Sequence, residues 1–175
     1  MTRIPRAAAA LTCLLATGCA TTLPGPQTTT VTVHGRIARV VDGDTIRVGV
    51  DGDSQRVRLL GLDAPELHRP RTPVQCGARA AASALAKIAP AGTPITLTTD
   101  PGQDRYDRYG RLLAYARTPT RDLQTAQLRH GWADITAGHH RRLRRQLELE
   151  HAARDARREH RGIWRVCDGD FHRDP

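Results

Sequence analysis

Three short runs of alternating apolar and polar residues, joined by tight turns, constrain this chain more than any other feature. Val31, Val33, Ile37, Val40 and Val41 mark a first strand, and Thr45–Val50 (Thr-Ile-Arg-Val-Gly-Val) marks a second. Asp51-Gly52-Asp53 reads as a hairpin turn, and Gln55–Leu62 (Gln-Arg-Val-Arg-Leu-Leu-Gly-Leu) as a third strand. A two-residue period gives each strand one face to bury, so the meander must curl over a core that later segments complete. A loop with Pro65, Pro70 and Pro73 leads to an alanine-rich helix, Cys76–Ala89, stopped at Pro90 and Gly92. Pro94–Thr99 is a fourth strand, residues 100–110 form a loop full of Asp, Arg and Tyr, and Arg111–Ala116 is a fifth. Arg121–His130 is a second helix ended by Gly131. Arg141–His160 is a long third helix whose Leu149, Ala152, Ala153 and Ala156 share one stripe. Strands, a helix, strands and then helices is the order of an α+β protein, a five-stranded OB-type barrel with three helices. It argues against a doubly wound parallel sheet.

The 175 residues include 27 Lys and Arg against 18 Asp and Glu, a formal charge of +9 that points to anionic partners. Aromatic residues make up only 3%, fewer than a binder that stacks base after base needs. No apolar run reaches the ~18 residues of a spanning helix. The N-terminal end reads as an export leader over residues 1–18. Arg3 and Arg6 form its basic start, and Ala7–Ala16 its apolar stretch. Leu15-Ala16-Thr17-Gly18-Cys19 resembles a bacterial lipobox, with Ala16 where leucine is usual. Two outcomes follow: lipidation of Cys19 and attachment to the cell envelope, or cleavage at the small residues and free secretion. Residues 19–30, rich in Pro and Thr, read as a tether, residues 31–165 as one domain, and 166–175 as a tail. With Cys13 in the leader and Cys19 removed or modified, Cys76 and Cys167 remain as one pair in an oxidising compartment, where a disulfide is expected. Without Arg3 and Arg6 the remainder is still basic, at +7.

Three elements carry chemistry. Val41-Asp42-Gly43-Asp44-Thr45 puts two carboxylates around a glycine at the start of a strand, and carboxylates two apart can face one hard cation. Asp-Gly-Asp recurs at 51–53 and 168–170, where a turn is reading enough. Arg58-Leu59-Leu60-Gly61-Leu62-Asp63-Ala64-Pro65-Glu66 puts an arginine on a strand and two acids past its end. The guanidinium fork suits a phosphate, and a structural ion pair equally. Asp107-Arg108-Tyr109-Gly110-Arg111 is a turn that delivers Arg111 to the next strand.

These elements, in this order and spacing, resemble the staphylococcal nuclease (thermonuclease) family over roughly residues 31–164. Leu128-Arg129-His130-Gly131-Trp132-Ala133 and Gly162-Ile163-Trp164 add to the likeness. The resemblance implies a calcium-dependent phosphodiesterase acting on DNA and RNA, a monomer with single strands preferred. By position, it makes Asp44 and Asp63 carboxylate ligands of calcium, with the backbone carbonyl of Ala64 a third and Asp42 beside them, acting through water. It places Glu66 next to the attacking water, and Arg58 and Arg111 on the phosphate. Such a site is chemically coherent, because a cation and two guanidiniums would neutralise charge developing on the phosphate oxygens. Ala64 stands where the staphylococcal enzyme has threonine. Arg108 replaces a lysine, and Ile135-Thr136-Ala137-Gly138-His139 lacks the tyrosines that help hold the nucleotide there.

Arg105-Tyr106 and Arg108-Tyr109 alternate base and ring beside Arg111, a pattern for substrate contact. The remaining features read more plainly. His139, His140 and His68 are surface residues, Trp132 and Trp164 belong to the core, and Arg141–Arg145 is a solvated helix face supported by pairs such as Glu150–Arg154. Two other functions compete: a non-catalytic nucleic-acid-binding module of OB type, and an envelope lipoprotein that grips an acidic polymer. The first would usually have lost part of the set Asp44, Arg58, Asp63, Glu66 and Arg111, all present here. The second leaves that set unexplained.

Overall fold

Asp51 and Gly52 both take positive φ, 50° and 92°, so the first hairpin is a two-residue turn that pairs Val50 with Asp53. The turn is one residue shorter than the sequence suggested. The computed structural model describes residues 29–67, 73–136 and 142–172. The leader, Cys19, most of the tether, His68, His139, His140 and Arg141 lie outside them.

Strand β1 (Thr32–Val40) is followed by β2 (Thr45–Val50), β3 (Asp53–Leu59) and a two-residue β4 (Leu62–Asp63). Then come α1 (Ala78–Ile88), β5 (Pro94–Thr98), β6 (Leu112–Arg117), α2 (Leu123–Arg129), β7 (Asp134–Ile135), α3 (Gln146–Arg158) and α4 (Ile163–Val166). The strands close into a barrel in the order β1-β2-β3-β6-β5. Only β3 and β6 run parallel. β1 serves two neighbours. Residues 32–36 pair with β5 and residues 36–40 with β2, with a register shift between Ile37 and Arg39 that bends the strand around the barrel. The inward residues Ile37, Ile46, Val48, Val57, Leu59, Leu97 and Ala114 are almost wholly buried. Helices α1, α2 and α3 add Leu85, Leu123, Leu128, Leu149, Ala152 and Ala153 to the same core.

The third strand stops at Leu59, earlier than expected, because Gly61 turns the chain at φ 81°. Beyond it, β4 pairs with β7, two elements too short to leave a periodic trace in the sequence. The third helix begins at Gln146, five residues after its expected start. Leu143 is drawn into the core, the Arg144 amide donates to Asp100 Oδ2 at 2.8 Å, and Arg145 bridges Asp122 and Glu148. Arg145 is therefore a structural clamp rather than a member of a solvated basic face. On α3, Glu150 accepts from Gln146 and Arg157 pairs with Asp134.

Residues 166–172, within the expected tail, are anchored at two buried side chains, Cys167 and Phe171. Cys167 is disulfide-bonded to Cys76, with Cα atoms 5.9 Å apart and a sequence separation of 91. Phe171, 3% exposed, joins Ile163 and Cys167 in a small second cluster. Trp132 and Trp164 pack against this cluster, half-buried, and Arg157 stacks over Trp164. Gly131 and Gly162, both at positive φ, let the α2 and α3 ends approach, and Ile163 N donates to Gly131 O at 2.8 Å.

Candidate active site

Residues 42–44 sit where β1 turns into β2, and backbone contact holds them there. The amides of Val41 and Asp42 both donate to Thr45 O, and the Asp44 amide donates to Asp42 Oδ1 at 3.1 Å. Gly43 is required at the centre of the loop. A Cβ there would lie 2.6 Å from Ala64 Cβ and 2.8 Å from Ala81 Cβ. Gln127, fully buried on α2, donates through Nε2 to Gly43 O at 2.8 Å and to Ala81 O at 3.2 Å, tying the acidic loop to two helices.

Asp44, 3% exposed, is the hub. Its Oδ1 accepts from Thr45 Oγ1 at 2.9 Å, and its Oδ2 accepts from the Ala64 amide at 3.1 Å and forms an ion pair with Arg58 Nη1. Arg58 Nη2 donates to Leu62 O at 2.9 Å and lies 3.9 Å from Asp63 Oδ1. Asp63 is fixed by the β4–β7 pair, and its other oxygen meets His172 Nε2 at 3.0 Å. Arg111 reaches the same place from the turn before β6, the strand paired with β3. Its Nε donates to Asp107 Oδ2 at 2.6 Å and its Nη1 to Thr45 Oγ1 at 3.4 Å. Glu66 is held through its backbone. Its amide donates to Gln75 Oε1 at 2.7 Å and its carbonyl accepts from the Gln75 amide at 3.1 Å.

The electrostatics follow from this crowding. Burial lowers the pKa of Arg58, and the positive charge of Arg111 lowers it further, against the pull of Asp63, Asp42 and Glu66. Burial raises Asp42 above the ordinary carboxylate range, although Arg58, Thr45 and Arg111 pull the other way. At Asp107, burial pushes upward, but hydrogen bonds from Arg111 and Tyr109 outweigh it and hold the carboxyl below its usual value.

The structure thus gathers Asp42, Asp44, Arg58, Asp63, Ala64 and Arg111 at one end of the barrel, with Glu66 close enough to act on Arg58. Tyr109 joins them by stacking. Arg111 lies 5.4 Å and Arg108 4.8 Å from its ring centre, and Arg108 donates to its hydroxyl at 2.8 Å. Arg105 stacks on Tyr106 further out on the same loop, where Leu113 N donates to Arg105 O, and neither side chain meets the acids. Sequence reasoning gave no site role to Thr45, Gln75, Asp107, Gln127 or His172. The signal for Asp107 was present, since a carboxylate four residues before an arginine can pair with it across a turn. For Gln127 and His172 only long-range packing decides.

Among the described residues, no group of three His, Cys, Asp or Glu side chains closes on one point. The acids are spaced around the Arg58 guanidinium instead. The donor set suits a hard cation, being all oxygen: the carboxylates of Asp42, Asp44 and Asp63 and the Ala64 carbonyl.

Together these features define a class, an OB-type barrel with acids and arginines gathered where its strands end. More particularly, residues 56–166 match the staphylococcal nuclease homologue family, and the chain belongs to it. It is 42% identical over 79 residues to a thermonuclease of Staphylococcus intermedius, 45% of each chain. An uncharacterised protein of Bacillus anthracis is 35% identical over 138 residues, 77% of this chain and 62% of that one. The SPbeta prophage-derived endonuclease YokF of Bacillus subtilis is 32% identical over 126 residues, 72% of this chain and 42% of that protein. The matched parts thus span between 42% and 62% of these relatives' lengths.

Proposed function

We propose that this protein is a calcium-dependent nuclease that hydrolyses phosphodiester bonds of DNA and RNA and prefers single strands. We propose further that it is exported and monomeric, either tethered to the envelope through lipid on Cys19 or released. Membership of the family and relatives named thermonuclease and endonuclease support a nuclease. One observation carries the reading most directly. Arg58 and Arg111 enter the same acidic end from two strands and repel each other there, an arrangement that an anion between them relieves.

In this reading Asp44, Asp63 and the Ala64 carbonyl would hold calcium, with Asp42 behind them through water. Bound there, the ion would supply positive charge to the phosphate oxygens. Arg58 can exchange Asp44 for a phosphate oxygen without leaving its strand, and Asp107 aims Arg111 by fixing its Nε and amide. Their role is electrostatic, because arginine keeps its proton at ordinary pH. Glu66 accepts or orients the proton of the attacking water, and the Gln75 contacts fix its backbone for that task. Water's oxygen bonds to phosphorus as its proton passes to Glu66, the bond from phosphorus to the ester oxygen breaks, and the leaving oxygen takes a proton from solvent water. Arg108 and Tyr109, with Arg105 and Tyr106 beyond them, would steady the nucleotide.

Substitution tests the assignment. Glu66→Gln should remove cleavage from a protein that still folds. Arg111→Ala should slow it by 10²–10³, about 2.7–4 kcal/mol of transition-state stabilisation. Undiminished cleavage by either folded variant would overturn it.

A further inference from the structure

The barrel carries a second concentration of positive charge, which the site does not use. In the β1–β2 ladder Arg39 stands directly opposite Arg47, and in the β2–β3 ladder Arg47 stands directly opposite Arg56. Three arginines therefore form one row across three neighbouring strands. The row lies on the outer face, because Ile46 and Val48 flank Arg47 and point inward, as Val57 does beside Arg56. Arg39 and Arg56 are exposed and Arg47 half-buried.

Like charges directly opposite one another on adjacent strands destabilise a sheet. Arg47 donates to Ser54 Oγ at 3.2 Å, and among the described residues none of the three is paired with a carboxylate. A row of this kind is stabilised by an anion with several charges. Its position names the anion. Arg56 is two residues before Arg58 on the same face of β3, and Arg47 two residues after Thr45 on β2. One such step is about 7 Å along a strand. The row is therefore the next tier of the outer face after the one that carries Arg58, Thr45 and, through Thr45, Arg111.

We propose that Arg39, Arg47 and Arg56 form a binding track for the phosphate backbone of a nucleic-acid strand that continues past the catalytic end. The track extends the nuclease reading above and rests on it. Arginine forks clamp successive phosphates without reading bases, so the track favours long strands over short ones and is indifferent to sequence.

The test uses the full chain with Arg39, Arg47 and Arg56 all changed to Gln, beside a second variant with all three changed to Lys. Binding of a long single-stranded oligodeoxynucleotide is measured in EGTA across a range of salt. The slope of log K against log salt should become shallower by about 2 in the Gln variant, since each single-strand phosphate contact contributes about 0.7. The Lys variant should keep the native slope, because it keeps the charges. With calcium present, the ratio of kcat/KM for the long strand to kcat/KM for a dinucleotide should fall in the Gln variant, through KM. An unchanged slope and ratio in a folded Gln variant would overturn the track. Loss of binding to phosphatidylglycerol vesicles with no change in the oligonucleotide slope would also overturn it and make the row a membrane-facing surface. If the unaltered protein cleaves neither substrate, the nuclease reading fails, while the EGTA slope still decides whether the row binds phosphates.

Discussion

At the scale of single residues, the site is held together by side chains outside its set of acids and arginines. Gln127 is the clearest. Gln127→Leu would leave the buried Gly43 carbonyl without its donor, at a cost of about 1–3 kcal/mol. Because the loop it holds carries Asp42 and Asp44, the proposed calcium site should weaken, read by titration calorimetry, along with a lower denaturation midpoint. Asp107 supplies a pH signature. Its folded pKa lies below the ordinary 3.8, so the stability it contributes is complete above that value and lost as pH falls through the depressed one. In Asp107→Asn, that part of the acid-induced loss should vanish from urea midpoints measured below pH 4, and the aim of Arg111 should loosen.

At the scale of elements, the parts legible in the sequence were those with a local period or a local motif. The strands β1, β2 and β3 announce themselves by alternation, and Leu149, Ala152, Ala153 and Ala156 by helical spacing. The acids and arginines were legible only as three short motifs whose order and spacing resemble one family, and barrel closure is what brings those motifs together. What escaped was decided by distant packing. The β4–β7 pair has two residues on each side and no period to read. The start of α3 moves because Leu143 is worth more in the core than in a further helical turn. The Arg39–Arg47–Arg56 row exists only once register is fixed, and the bulge after Ile37 sets that register. The C-terminal segment shows the same dependence. Cys76–Cys167 and Phe171 pin it so that His172 reaches Asp63. Replacing both cysteines by serine should lower stability by about 2–5 kcal/mol, read from a denaturant titration of the oxidised parent against the variant. A variant that unfolds at the parent's midpoint would show that the bridge adds nothing to a segment already held by Phe171.

At the scale of the whole molecule, the barrel brings three chain segments, 42–45, 58–66 and 107–111, to one end and leaves the outer strand face basic. Under the proposed function such a layout would separate two tasks: acids and arginines acting on one phosphate, and a charged surface holding the strand around it. Catalysis is the central claim, and one measurement tests it most directly. The purified, oxidised protein is incubated with denatured DNA, once with calcium and once with excess EGTA. The account predicts digestion with calcium and intact DNA with EGTA. Binding without digestion, from a folded protein supplied with calcium, would contradict it and make the molecule a nucleic-acid-binding barrel whose acids and arginines serve only its structure.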